Sequence, residues 1–174
     1  MLSWNINGWT DQNKNVRTNI IQALDCDIVC LCETHLKGDS ELLIQGYKTF
    51  THNRSEQHIR AKKNYGGIAI LCKQSVFDNY KVEVVDKEYD GILMINLVDK
   101  ISGYDILFIG LYLPPENSPW GRDSVSVFAH ILSCLYQFED ADAIYLCGDM
   151  NVRTGNRVDY IQEIDNVATQ VALD

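Results

Sequence analysis

Polar side chains capable of chemistry stand at the ends of four apolar segments of the sequence. They are Asn5 and Asn7 in Trp4-Asn5-Ile6-Asn7-Gly8, Glu33 after Ile28-Val29-Cys30-Leu31-Cys32, Tyr112 after Gly110-Leu111, and Asp149 and Asn151 after or beside Tyr145-Leu146-Cys147-Gly148. A carboxylate that emerges from a buried strand is costly unless it is paired or binds a cation. Because side chains from several strand ends can meet at one opening, the four segments predict a shared site.

The oxygen donors of this set indicate which metal the site would bind. Carboxylate and amide oxygens suit Mg²⁺ or Mn²⁺ rather than zinc. Mg²⁺ keeps several waters and needs only one or two carboxylates together with phosphate oxygens of a substrate. A single glutamate at a strand end is more often an ordinary solvated residue, so each segment alone is weak. The four segments together, in this order, indicate a metal-dependent site.

The apolar patterns predict eight strands and two helices that would position these residues. The strands are predicted at Leu2–Ile6, Asp27–Cys32, Tyr47–His52, Gly67–Cys72, Tyr80–Val85, Gly91–Leu97, Asp105–Tyr112 and Ala143–Cys147. The helices have apolar residues at helical spacing, namely Val16, Ile20, Ile21 and Leu24 from about Asn15 to Leu24, and Val125, Phe128, Ile131, Leu132 and Leu135 from about Ser124 to Phe138. Because strands outnumber helices, the predicted fold class is an α+β or α/β sandwich.

The chain is acidic, with 15 Lys and Arg against 24 Asp and Glu and a formal net charge of −9. This balance argues against tight non-specific binding of DNA, which usually requires a basic surface. It is compatible with phosphate chemistry in which a divalent cation lies between carboxylate and substrate. A polar stretch between Arg54 and Asn64 contains a local basic cluster. It is predicted to be a surface loop, with a nucleic-acid contact as the alternative.

Composition excludes several other classes of protein. Hydrophobic residues make up 46% and charged residues 22% of the chain, as in ordinary globular domains. No apolar run approaches the ~18 residues of a membrane helix, and polar residues interrupt the start of the chain where a signal peptide would be apolar. No glycine-rich nucleotide-binding motif is present. We therefore expect a soluble intracellular protein with no membrane partner and no nucleotide cofactor.

Six cysteines are present, and without a secretory signal they are expected to be reduced. Cys30 and Cys32 alternate along an apparent strand, so their side chains would share one face beside other apolar residues. We expect buried structural thiols there, with a zinc site as the less favoured alternative.

Together, the four segments resemble the successive motifs of the endonuclease/exonuclease/phosphatase superfamily. The similar stretches are Trp4-Asn5-Ile6-Asn7-Gly8, Glu33-Thr34-His35, Tyr112-Leu113-Pro114-Pro115, Gly148-Asp149-Met150-Asn151 and the glycine-led strand Gly66-Gly67-Ile68-Ala69-Ile70-Leu71. The resemblance extends from Leu2 to about Asp159. Two further stretches, Asp90-Gly91-Ile92-Leu93 and the segment from Asp149 to Gly155, are similar to the endonuclease domains of non-LTR retrotransposons.

The resemblance implies a DNase I-like four-layer sandwich, in which two mainly antiparallel sheets are flanked by helices and one active site lies at the sheet edges. Glu33 would be the direct metal ligand, with Asn7 close to the metal or its waters. The implied cofactor is Mg²⁺, with Mn²⁺ as the alternative. Many members have an acidic residue where Asn7 stands, so weaker metal binding is expected here.

The resemblance also implies catalytic roles for four residues. Asn5 would orient Glu33 or the phosphate, and Tyr112 would donate a hydrogen bond to the scissile phosphate. Asp149 would act on water or on the leaving group, while Asn151 would position a phosphate oxygen. The implied reaction is in-line attack of water on a phosphodiester, with Mg²⁺ stabilising the departing oxyanion.

The family pattern ends in a Ser-Asp-His motif that this sequence does not contain. All four histidines precede Gly148; His35 is near Glu33, and His130 is expected to be structural. We therefore expect one domain over residues 1–174 that lacks the last strands of its second half. Strands such as Asp105–Tyr112 and Ala143–Cys147 would then present an open apolar edge.

Three functional hypotheses remain open at this point. The first is an Mg²⁺-dependent endonuclease of retrotransposon type that nicks DNA, of low or no activity as a fragment and nuclear in location. The second is a catalytically dead remnant that acts as a binding module. The third is a phosphatase that acts on a small phosphorylated molecule such as an inositol phosphate. The sequence does not determine the oligomeric state.

Overall fold

The computed structural model describes residues 1–53, 66–115 and 124–151, so the loop predicted at residues 54–64 lies outside the described residues. Sheet A contains the first four strands in the order β1-β2-β4-β3. Strands β1 and β2 are parallel, whereas β2 and β3 each pair antiparallel with β4. The strand bounds are β1 Leu2–Asn5, β2 Ile28–Cys32, β3 Tyr47–His52 and β4 Ile68–Lys73.

Sheet B contains the other four strands in the order β5-β6-β7-β8. The first two pairs are antiparallel, and β8 runs parallel to β7. The strand bounds are β5 Tyr80–Asp86, β6 Ile92–Asp99, β7 Asp105–Tyr112 and β8 Ala143–Asp149. All eight predicted strands are therefore confirmed to within two residues at each end.

Helices cover the outer faces of the two sheets. Helix α1 (Lys14–Leu24) packs Ile21 against sheet A, and α3 (Ser124–Gln137) packs Val127 and Ile131 against sheet B. A short helix that was not predicted, α2 (Val76–Asn79), precedes β5. The four layers of helix, sheet, sheet and helix confirm the predicted α+β sandwich. Within the described residues, no helix combines the length and the apolar character needed to cross a bilayer.

The space between the sheets is filled by alternate side chains from both. Cys30, Ile68 and Ile70 of sheet A meet Leu93 and Phe108 of sheet B, and all five are buried. The period-2 alternation of the strands sends these residues inward. The buried thiols fit this apolar layer, and burial raises the pKa of Cys72 to about 12. These observations favour the structural role predicted for Cys30 over a zinc site.

The predicted core faces of the two helices need correction. In α1, Val16, Ile20 and Leu24 are exposed, and Ile21 alone is fully buried. In α3, the predicted face is split, because Ile131 is buried and Leu135 partly buried. The exposed members of that face are Val125, Phe128 and Leu132. Helix α3 carries two apolar stripes, and their spacing alone does not say which stripe meets the sheet.

Strand β8 forms one edge of sheet B among the described residues. Ile144, Tyr145 and Leu146 on it are between 41% and 48% exposed. The open apolar edge predicted for Ala143–Cys147 is thus present in the described part of the chain. Strand β7, for which the same was predicted, is internal and buried along most of its length.

Candidate active site

The ends of strands from both sheets meet at one edge of the sandwich. Asn5, the last residue of β1, lies beside Cys32 of β2, so Glu33 follows directly at the same edge. In sheet B, Tyr112 ends β7 beside Asp149, which ends β8. Parallel pairing within each of these two pairs of strands puts both carboxyl ends at the same edge. The sequence therefore brings Asn5, Glu33, Tyr112 and Asp149 together, as predicted.

Two hydrogen bonds cross from one sheet to the other at this edge. The Tyr112 hydroxyl donates to Glu33 Oε1 at 2.8 Å. Asn5 Nδ2 donates to Asp149 Oδ2 at 2.6 Å. Each bond joins a carboxylate of one sheet to a polar group of the other. Charge-assisted hydrogen bonds of this kind are stronger than neutral ones, so they fix both carboxylates in position.

The carboxylate of Glu33 is partly buried, with its side chain 20% exposed. Its second oxygen, Oε2, faces His35 Nε2 at 3.5 Å. Tyr112, which holds the first oxygen, is itself buried. The Tyr112 hydroxyl points to Glu33 here, whereas the resemblance implied a contact with phosphate. Tyr112 therefore positions the carboxylate in this structure.

Asp149 is held on both of its oxygens. In addition to the bond from Asn5, the backbone N–H of Asn151 donates to Asp149 Oδ1 at 3.0 Å. Asn151 Nδ2 donates to the Leu113 carbonyl at 2.7 Å, which ties the end of β8 to the end of β7. A phosphate contact by Asn151 would use the second N–H of the same amide. The resemblance implied that Asn5 would orient Glu33 or the phosphate. In this structure Asn5 orients Asp149 instead of Glu33.

Asn7 lies in the loop after β1, exposed, with its backbone N–H donating to Asn5 Oδ1 at 3.0 Å. The next residue, Gly8, donates its N–H to the carbonyl of Glu33 at 2.6 Å, so this loop and the Glu33 segment are joined. Asn7 thus lies in a loop that contacts both Asn5 and the Glu33 segment. Its role as a metal ligand stays a prediction.

Unusual backbone conformations are concentrated at this edge. Four residues here that are not glycine have positive φ angles, namely Asn7 (46°), Glu33 (55°), His35 (57°) and Asn151 (47°). Such conformations cost free energy and persist where surrounding contacts fix them. Local backbone hydrogen bonds supply those contacts, including His35 N–H to the Gly66 carbonyl at 2.9 Å. Their clustering supports a functional role for the edge.

Gly148 in β8 has no room for a side chain, so replacing it with alanine should destabilise the folded protein. Gly148 has φ of +136°, and an added Cβ would overlap the backbone of Leu111. We expect Gly148→Ala to lower the free energy of unfolding by at least about 3 kcal/mol, measured by urea denaturation. Gly38→Ala is the matched control, because Gly38 also has a positive φ but nothing near its Cβ position. It should cost only about 1–2 kcal/mol. Equal losses would show that the contact with Leu111 is unimportant.

His52 and Asp90 lie at the same edge and were not recognised as site residues from the sequence. His52 ends β3, and its Nδ1 forms a 2.7 Å hydrogen bond with the Ile92 carbonyl of the other sheet. Its Nε2 lies 3.9 Å from Asp90 Oδ1. Since Cys32, Ile68 and His52 are neighbours on successive strands, His52 stands about 10 Å from the end of β2. The sequence did carry a signal for His52, because it is a polar residue at the end of a predicted strand.

Comparison with known proteins identifies the group to which the chain belongs. A profile of the endonuclease/exonuclease/phosphatase family matches residues 2–161. The chain is a member of this family. The match includes all six residues predicted for the site, so the family resemblance stated from the sequence is confirmed. The closeness to retrotransposon endonucleases is not shown by these comparisons.

Individual relatives match more weakly. An exodeoxyribonuclease of Bacillus subtilis (strain 168) is 24% identical over 159 residues, which cover 87% of this chain and 58% of that protein. The DNA-(apurinic or apyrimidinic site) endonuclease 2 of Bos taurus is 34% identical over 94 residues, covering 43% of this chain and 17% of that protein. The human Nocturnin catalytic domain shares the fold with a TM-score of 0.59 and 19% identity, covering 88% of this chain and 64% of that chain. The chain thus spans less than two thirds of each.

Members of the family generally depend on a divalent metal, and the residues at this edge fit one. Glu33 and Asp149 provide carboxylate oxygens, and Asn7 and Asn151 provide amides. Each carboxylate oxygen accepts only some of the bonds that its lone pairs allow, so ligand positions remain on both groups. Oxygen donors of this kind suit Mg²⁺ or Mn²⁺.

Proposed function

We propose that the edge formed by Glu33, Asn5, Tyr112 and Asp149 is a divalent-metal-dependent site for hydrolysis of phosphodiester bonds in DNA. The observation that carries the proposal is the pair of hydrogen bonds between the sheets, which hold two carboxylates at one edge of a fold of this family. Two neighbouring carboxylates would repel a phosphate in the absence of a cation. Bound at Glu33, with Asn7 nearby, Mg²⁺ would neutralise the phosphate and stabilise the departing oxygen.

The chain's own residues orient and deprotonate the reactants. Asp149 accepts hydrogen bonds from Asn5 and from the Asn151 backbone, which fix the direction of its carboxylate. We propose that Asp149 accepts the proton of the attacking water or contacts the leaving group. Tyr112 keeps the Glu33 carboxylate at the metal position through its hydroxyl. Asn151 contributes an amide N–H toward a phosphate oxygen.

The more specific form of the proposal is nicking of duplex DNA in the manner of retrotransposon endonucleases. Its support is the similarity of two segments to those endonucleases, namely Asp90-Gly91-Ile92-Leu93 and the segment from Asp149 to Gly155. Residues 152–155 of the second segment lie outside the described residues. Cleavage at abasic sites is a second candidate, because one relative is named for that activity. DNA is the proposed partner in either form. In the retrotransposon form of the proposal, the protein would act in the nucleus.

A panel of substrates tests the proposal with the purified chain. Supercoiled plasmid, a duplex with one abasic site and an inositol polyphosphate are each incubated with Mg²⁺, with Mn²⁺ or with a chelator, after circular dichroism confirms folding. We expect metal-dependent nicking of the plasmid. Preference for the abasic duplex would select the second candidate. Release of phosphate from the inositol compound alone would overturn the DNA proposal, and no turnover of any substrate would favour a binding module.

Replacing Tyr112 with phenylalanine should weaken use of the metal. The variant keeps the buried ring and loses the hydroxyl that holds Glu33 Oε1. Because hydrogen bonds to charged groups contribute about 1.5–3 kcal/mol, we expect a loss of about 10- to 100-fold in kcat/KM. The Mg²⁺ concentration for half-maximal rate should rise as well. Tyr136→Phe on the exposed side of α3 is the control. A loss of rate with an unchanged Mg²⁺ requirement would contradict the positioning role.

A further inference from the structure

A second group of metal-ligating side chains lies away from the proposed active site, between the outer face of sheet B and α3. Asp86 comes from the end of β5, and His130 and Cys134 come from α3. The Nε2 atom of His130 lies 3.0 Å from Asp86 Oδ2 and 3.6 Å from Cys134 Sγ. All three donor atoms lie within 4.8 Å of one another.

The fold directs these three side chains toward each other. His130 and Cys134 are four residues apart, so they lie one turn apart on the same face of α3. The pairing of β5 with β6 shifts between Val84 and Asp86. This irregularity places Asp86 opposite Met94, whose side chain belongs to the apolar layer beneath α3. A bulge that re-aims a side chain in this way is a specific feature of a strand and often serves a site.

Two of the three separations between the donor atoms are close to those of a tetrahedral zinc site. With Zn–N and Zn–O distances near 2.0–2.1 Å and Zn–S near 2.3 Å, tetrahedral donors lie about 3.3–3.6 Å apart. The two measured separations that involve His130, 3.0 Å and 3.6 Å, differ from this range by a few tenths of an ångström at most. The side chains of Asp86 and His130 are 11% and 22% exposed, and Cys134 is buried. The group is therefore sheltered and still open on one side.

Without a cation, the Nε2 atom of His130 cannot serve both of its neighbours at the same time. His130 Nε2 can donate to Asp86 only when it carries a proton, and can accept from the Cys134 thiol only when it does not. A cation at the centre would be bound by all three groups at once, in place of the protons of the thiol and of His130 Nε2. Tyr89 stacks on the His130 ring, with centroids 5.3 Å apart, and limits its movement.

We propose that Asp86, His130 and Cys134 form a binding site for Zn²⁺, with a fourth position open to water. One nitrogen, one thiolate and one carboxylate suit zinc and not Mg²⁺, which prefers oxygen ligands. The site joins α3 to the edge strand β5 on the outer face of sheet B. A bound Zn²⁺ would link the helix to that strand at a place separate from the edge that contains Glu33. The inference does not depend on the proposed function.

Binding of Co²⁺ to the full-length chain tests the site, because a cobalt–thiolate bond gives a charge-transfer band in the near ultraviolet. The chain is first stripped with a chelator and then titrated with Co²⁺ in an excess of Mg²⁺. We expect one Co²⁺ per chain with this band, and its loss when Zn²⁺ is added. Saturating Zn²⁺ should raise the unfolding temperature by about 5 °C or more.

Three variants make the test specific. Cys134→Ser should abolish the band, whereas Cys26→Ser, at a half-buried cysteine outside the group, should retain it. Asp86→Asn keeps the thiolate and should weaken Co²⁺ binding at least tenfold, which gives a second measurement if the cysteine variant does not fold. Glu33→Gln should leave the band unchanged. A band that survives in folded Cys134→Ser, or its absence from the folded parent chain, would overturn the proposal.

Discussion

Replacing Glu33 with glutamine is expected to lower the metal-dependent rate of DNA cleavage by about 1,000-fold. Glu33 is the carboxylate proposed to bind the metal, and a metal ion contributes several kcal/mol to stabilising charge in the transition state. About 4 kcal/mol corresponds to a factor of 1,000 in rate. Glutamine keeps the shape of the side chain and an oxygen that can accept the Tyr112 hydroxyl, so the cross-sheet contact can persist.

Two measurements distinguish loss of metal from loss of fold. Initial rates over a range of Mg²⁺ concentrations should show no saturation in Glu33→Gln. Binding of Mn²⁺, followed by electron paramagnetic resonance without substrate, should weaken in parallel. Glu139→Gln is the matched control, because Glu139 is exposed in the segment after α3 and should behave like the parent chain. If Glu33→Gln cleaves DNA within threefold of the parent rate, Glu33 is not the metal ligand.

The strands could be predicted from the sequence because their signal is local. Alternating or continuous apolar residues, such as Ile28-Val29-Cys30-Leu31-Cys32, end at polar residues and leave little choice of element. The order of the strands in each sheet was not predicted, because pairing joins residues far apart in the chain. The parallel pairing of β7 with β8, which puts Tyr112 beside Asp149, is an example.

Helix faces were harder to predict because two stripes of α3 are equally apolar. Val125, Phe128 and Leu132 follow helical spacing as well as Val127, Ile131 and Cys134 do. Only the position of the sheet decides which stripe is buried, and that position depends on long-range packing. In the structure the stripe with Val127 faces sheet B.

The meeting of four polar residues at one edge could be predicted, but the contacts among them could not. Strand-end position brought Asn5, Glu33, Tyr112 and Asp149 to one edge. Which carboxylate each polar group holds depends on how the two sheets stack, so Asn5 contacts Asp149 and Tyr112 contacts Glu33. The contact between Asp86 and His130 could not be predicted either, because it requires a bulge in β5 that no sequence pattern indicated.

Replacing Asp149 with asparagine is expected to lower kcat by about 100- to 10,000-fold, the range for loss of a general acid or base. KM should change little, because the variant keeps the volume of the side chain and the metal stays with Glu33. The two oxygens of Asp149 accept N–H bonds from Asn5 and from the Asn151 backbone. An asparagine offers only one oxygen, so one of these two donors must lose its partner.

Asn5→Ala separates the chemistry of Asp149 from its orientation. That variant keeps the carboxylate and its bond from Asn151 but removes the 2.6 Å bond from Asn5, together with the Asn5 oxygen that accepts the Asn7 N–H. We expect a loss of about 10-fold in kcat, which is near the net contribution of one hydrogen bond to a charged group. In the double variant the loss should be close to that of Asp149→Asn alone, because Asn5 acts through Asp149. Steady-state kinetics of nicking of supercoiled plasmid measures all three variants, with Asp140→Asn in an exposed turn as the control. Additive losses in the double variant would show that Asn5 acts independently of Asp149, through the substrate or through its contact with Asn7.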